Sequence, residues 1–141
     1  MQTPSSSPVL LVSRDADFVA LYADPLAHTG HEVVTVDATA LSRALLHAVR
    51  PAAVVVDVCR PLDWTAVAAV APTGIPVVLV TGYLAGDGQF RARAAALQAA
   101  AFVLKPVLPE VLVNVVQRVL KGERGLEALT GTASPPRLIS E

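Results

Sequence analysis

Ala53-Val54-Val55-Val56-Asp57 is the stretch that decides the fold: four apolar residues in a row, then a carboxylate. A strand buried on both faces reads as an unbroken apolar run, and open α/β sheets build their sites at the carboxyl ends of such strands. Two more runs of this kind follow. Val77-Val78-Leu79-Val80 leads into Thr81-Gly82, and Phe102-Val103-Leu104 leads into Lys105-Pro106. An acid, a hydroxyl and an amine therefore stand at three strand ends, which a parallel sheet brings to one edge.

Outward from that stretch, short apolar runs alternate with helical patterns. Strand one is Val9 to Val12. Helix one starts after Asp15, a plausible N-cap, and carries Phe18, Leu21 and Tyr22 at helical spacing. Pro25 should kink it or split off its last turn, and Gly30 ends it. Strand two is Glu32 to Val36, and helix two runs from Thr39 to Val49, stopping before Pro51. After strand three comes a short helix, Asp63 to Ala71. Helix four is Gly88 to Ala99, rich in alanine. Helix five opens with Pro109 and buries Leu112, Val115, Val116, Val119 and Leu120. Five strands alternating with five helices imply a parallel sheet covered on both faces. Residues 1–7 read as a disordered lead, 8–121 as the domain, and 122–141, with Gly, Ser and paired prolines, as a mobile tail.

Composition narrows the function classes. The chain has 141 residues, 53% of them hydrophobic, and a net charge of −1, which gives no electrostatic reason to expect a nucleic acid or an anionic membrane as partner. The single cysteine, Cys59, excludes an intrachain disulfide and a cysteine-based zinc site and fits a reducing cytoplasm. No apolar stretch reaches the ~20 residues that span a bilayer.

Asp57 with Pro61 four positions on, Thr81-Gly82 and Lys105-Pro106, in this order and each at a strand end, make the chain resemble the receiver domain of two-component response regulators, of the chemotaxis-regulator type. The resemblance runs from Val9 to Leu120. It implies a flavodoxin-like, doubly wound (βα)5 three-layer sandwich with strand order 2-1-3-4-5. It also implies that Asp57 accepts a phosphoryl group from a histidine kinase, that Thr81 hydrogen-bonds that group and that Lys105 ion-pairs with it. Phe102 would be the aromatic that moves inward with the threonine. That movement would reshape the helix four–strand five–helix five face, which engages a downstream protein or a second copy of the chain.

The resemblance breaks after strand one. The family places two acids there to hold Mg²⁺; here they are Ser13 and Arg14, and Asp15 comes one place late. Asp15, Asp57 and the Cys59 carbonyl are the remaining candidate ligands, beside the neighbours Gly82 and Pro106. Mg²⁺ is usually held by one or two carboxylates plus phosphate oxygens. Two unit charges 4 Å apart interact by about 4 kcal/mol at an effective dielectric of 20, so Arg14 opposes a dication. The expectation is no cofactor, or Mg²⁺ bound weakly. Arg14 has two readings. In the favoured one it ion-pairs with Asp57 as a substitute cation; in the other it grips the transferred phosphoryl group with its planar fork. A large aromatic, Trp64, near a position usually held by glycine, and Leu108 where a polar helix cap is usual, are further departures.

The reading is therefore a receiver-like signalling module, divergent at its metal site and acting by protein–protein contact. It is not an enzyme beyond phosphoacceptor or self-dephosphorylation activity. A conventional phosphoacceptor is the alternative. A dehalogenase-type phosphatase needs a second aspartate where Cys59 stands, and a dinucleotide enzyme needs a glycine-rich turn that Ser13-Arg14-Asp15-Ala16-Asp17 lacks. His28, His31 and His47 show no metal spacing. The segment after helix five is too short and insufficiently basic for a DNA-binding output.

Overall fold

The computed structural model describes residues 7–59, 63–82, 88–128 and 137–138. Strands β1 (Val9–Val12), β2 (Val33–Val36), β3 (Ala53–Val58), β4 (Val77–Thr81) and β5 (Ala101–Leu104) lie in the order β2-β1-β3-β4-β5, all parallel. Helices α1 (Ala16–Ala27), α2 (Arg43–Val49), α3 (Asp63–Val70), α4 (Gly88–Ala96) and α5 (Pro109–Leu120) make the crossovers. This is the flavodoxin-like α/β sandwich expected from the sequence. No helix among the described residues is long and apolar enough to cross a membrane.

The sheet alternates cleanly between two cores. Val9, Leu11, Val55, Val78, Val80 and Val103 pack against α1 and α5. Leu10, Val12, Val54, Val56, Leu79 and Phe102 face the other way, toward α2, α3 and α4. The unbroken valine runs exist because each strand has a helix layer on either side. Asp15 caps α1 by accepting the Asp17 N–H at 2.9 Å, and Phe18, Tyr22 and Leu26 bury its inner stripe. Pro25 lies in the last turn, and the helix continues through it to Ala27.

Two elements depart from the sequence reading. The helix expected over Thr39 to Val49 is divided into a 3-10 turn, Ala38–Ala40, and α2. Asp37 caps the first and Ser42 the second; two good caps five residues apart give two starts. The second departure lies in the stretch read as tail. Leu126–Ala128 form β6, parallel to β5 in the register Ala101↔Leu126, Phe102↔Glu127 and Val103↔Ala128. Arg137–Leu138 pair antiparallel with it as β7. Leu126 is fully buried. The local sequence has little strand propensity; the open edge of β5 and the apolar seat for Leu126 supply what propensity does not.

Candidate functional site

Strand alternation decides which side chains meet. Carried one residue beyond β1, the face of Val9 and Leu11 includes Ser13. The face of Ala53 and Val55 includes Asp57, and that of Ala101 and Val103 includes Lys105. These three converge. Lys105 Nζ lies 2.6 Å from Asp57 Oδ1, and the Ser13 hydroxyl donates to Asp57 Oδ2 at 2.9 Å. The Cys59 thiol donates to Oδ1 at 3.2 Å. The Asp57 side chain is only 1% exposed, and both its oxygens are engaged. Ser13 is used in both directions, because its oxygen also accepts the Asp15 N–H at 3.0 Å.

Lys105 is seated on three sides. Its ammonium lies 3.9 Å from Cys59 Sγ and 4.9 Å above the centre of the Phe18 ring. Burial pulls its pKa down, but the hydrogen bond and charge of Asp57 outweigh burial and hold it above the usual lysine value. Burial, then the hydrogen bond and charge of Asp57, push the Cys59 thiol up, so it is an ordinary protonated thiol at neutral pH. Tyr22, whose hydroxyl donates to the Val107 carbonyl at 2.6 Å, is pushed up by burial as well. The Lys105-Pro106 peptide is cis, and the Lys105 N–H donates to the Thr81 carbonyl at 2.7 Å, tying the β4 and β5 ends together.

The second parity holds Thr81 and Phe102. Thr81 continues the face of Val77 and Leu79 and is fully buried; Phe102 is buried on the same face beneath α4. A cavity of about 300 Å³ lined by Phe102, Glu127 and alanines of α4 lies beside it. Asp57 and Lys105 thus occupy one face and Thr81 and Phe102 the other, while Gly82 follows Thr81 at the same edge.

Arg14 falls on the parity opposite Asp57, and its position corrects the sequence reading. Its Nε lies 3.5 Å from Asp37 Oδ1, not on Asp57. The register Val12↔Val36 brings the residues after β1 and β2 side by side, so Asp37 is the nearer carboxylate. The cation on Asp57 is Lys105. Arg14 still lines the open cleft of about 320 Å³ over the site, with Asp15, Asp57, Cys59 and Asp63.

Asp37 and Asp63 were both missed. Asp37 stands at a strand end and was visible by the rule that singled out Asp57. Asp63 is buried and accepts the Cys59 N–H at 2.8 Å, which fixes the loop after Asp57; its only sequence signal was its place at the start of α3. Pro61 lies outside the described residues. Arg93 stacks over Trp64 at 5.1 Å, bridging α4 and α3. Leu108 caps α5 with no side-chain bond, as anticipated.

No family model matches the sequence, and no curated protein does. Solved structures do match. The chemotaxis protein CheY4 of Vibrio cholerae is 24% identical with a TM-score of 0.70, over 80% of this chain and 98% of that one. A CheY-like response regulator receiver domain protein from Methanospirillum hungatei is 20% identical with a TM-score of 0.68, over 82% of this chain and 94% of that one. NtrX from Brucella abortus is 27% identical with a TM-score of 0.67, over 81% of this chain but 26% of its own length. The chain has the fold of these receiver domains.

Proposed function

We propose that this chain is a receiver module of two-component signalling that has left Mg²⁺-dependent phosphoacceptor chemistry and acts in the cytoplasm by contact with a kinase or another signalling protein. The observation that carries the proposal is the saturation of Asp57. Ser13, Cys59 and Lys105 together engage both carboxylate oxygens. An attacking oxygen must shed such donors before it reaches phosphorus.

The donor set argues against Mg²⁺ as well. A dication in this cleft would need carboxylates from the residues after β1. Ser13 is spent on Asp57, Arg14 brings a positive charge to the cleft wall, and the Asp15 carboxylate caps α1. Among the described residues no three His, Cys, Asp or Glu side chains converge to hold a metal. Phosphoryl transfer leans on metal and cations to offset developing charge, and Lys105 alone would leave it slow.

The conventional phosphoacceptor reading keeps one observation on its side: Asp57, Thr81 and Lys105 all stand at the ends of adjacent strands. The test separates the two. The purified protein and Asp57→Asn are incubated with acetyl phosphate, with and without Mg²⁺, and followed by intact mass. The expected result is no gain of a phosphoryl group under either condition. A gain that requires both Mg²⁺ and Asp57 restores the conventional reading. A gain that requires Asp57 but not Mg²⁺, and vanishes in Arg14→Ala, would turn Arg14 toward the phosphoryl group. The expected dimer face of α4, β5 and α5 would have to accommodate β6, which lies along β5.

A further inference from the structure

At the amino-terminal end of the sheet, away from Asp57, an open cavity of about 630 Å³ lies between α2 and the segments leading into β3 and β4. Its floor is apolar, with Leu46, Pro51 and Ile75. Its rim is basic, with Arg43, His47 and Arg50 along α2, and no carboxylate lines it among the described residues. None of these three side chains has an ion-pair or hydrogen-bond partner among the described residues.

Two of the three stand where local physics disfavours them. Arg43 is the first residue of α2, at the positive end of the helix dipole. Arg50 ends the helix in the left-handed region, φ 52 and ψ 60, a position that glycine or asparagine ordinarily takes. The negative end of the dipole suits His47 and Arg50 as cations. It gives no reason for Arg43, and none for a left-handed residue to be an arginine. Local rules broken twice around one cavity, with no partner in the fold, point to a partner outside it.

We infer that this groove docks an acidic segment of a partner protein, with carboxylates on Arg43 and Arg50 and an apolar side chain seated on Leu46 and Ile75. The two arginines are seven residues apart, roughly 10 Å along a helix at 1.5 Å per residue. A peptide with two carboxylates at that spacing matches both arginines along the groove. The apolar floor between the cations matches an amphipathic segment rather than a purely charged one. This inference does not depend on the chemistry of Asp57.

The probe is a synthetic peptide of glutamate and leucine at helical spacing, titrated into ¹⁵N-labelled protein, with a lysine–leucine peptide of the same spacing as control. The expected shifts are confined to α2 and the segment around Thr73 and Ile75, and the affinity falls with added salt. Arg43→Glu combined with Arg50→Glu weakens binding at least tenfold, with an unchanged circular dichroism spectrum. Lys121→Glu, a single charge reversal on the exposed end of α5, leaves binding unaltered, whereas Arg43→Glu alone weakens it. Shifts elsewhere, equal affinity in the double variant, or equal binding of the lysine peptide would overturn the inference. So would displacement of the peptide from α2 by phosphate or decanoate at constant ionic strength, which would make the groove a site for a free anion.

Discussion

The two ends of the sheet treat charge in opposite ways. At the carboxyl end, Asp57 is buried and answered by three donors, and even the peripheral Arg14 has Asp37. At the amino end, Arg43, His47 and Arg50 surround an apolar floor with no carboxylate among the described residues. The fold therefore answers the charge at the carboxyl end, beneath an open cleft, and leaves the cations at the amino end without a partner among the described residues. On the reading inferred for the α2 groove, a receiver fold carries specificity away from its aspartate, because the strands that place a carboxylate at one edge also begin at the other.

The largest effect should come from the carboxyl end. Lys105→Ala would leave a buried carboxylate without its cation and should cost about 3 kcal/mol, the low end for a broken buried pair because Lys105 is a quarter exposed. Chemical denaturation measures it, and Asp57→Asn with Lys105→Met should recover most of the loss. A cost under about 1 kcal/mol in the single variant would mean that the pair does not hold this edge. Alkaline titration tests the same seat. The Lys105 pKa is raised by folding, so its contribution is complete below about pH 10 and lost as pH rises through the folded value. Cys59 and Tyr22 act in the same direction, since folding keeps them neutral while the unfolded chain ionises. Tm should be flat from pH 6 to 8 and fall above about pH 8.5.

Smaller effects sharpen the contrast. Ser13→Ala removes one hydrogen bond to a buried charge and should cost about 1.5 kcal/mol by denaturation. Arg50→Gly should do the opposite, stabilising the fold by about 1 kcal/mol by relieving the left-handed arginine, while weakening peptide binding at α2. Destabilisation by this change would show that Arg50 holds the fold rather than a ligand. Arg14→Ala should cost less than ~0.5 kcal/mol, as for an exposed pair with Asp37. A larger loss would return Arg14 to a role at Asp57.

Much of this was legible in the chain. The valine runs fixed five strands, and the residues after them located the Asp57, Thr81 and Lys105 edge, because burial on both faces and strand-end polarity are local signals. Arg14 was misplaced for want of a parity argument. Ser13, not Arg14, shares the face of Leu11 and Asp57, and alternation would have shown it. Leu126–Ala128 could not be read the same way. Three residues carry no periodicity, and their strand exists only because β5 offers an edge. The groove at α2 was equally silent, since it is assembled from α2, Pro51 and Ile75 across 33 positions of sequence.

That added strand bears on how the chain can be cut. A truncation after Leu120, at the end of the last helix, would look like a natural boundary for a fold of five strands and five helices. Here it would strip Leu126 from its seat and bare the edge of β5 that faces β6, whose other edge stays paired with β4. An unpaired strand edge is a template for other chains. The shortened protein should therefore self-associate and become less soluble, and a dimer seen only in such a fragment would be a product of the cut.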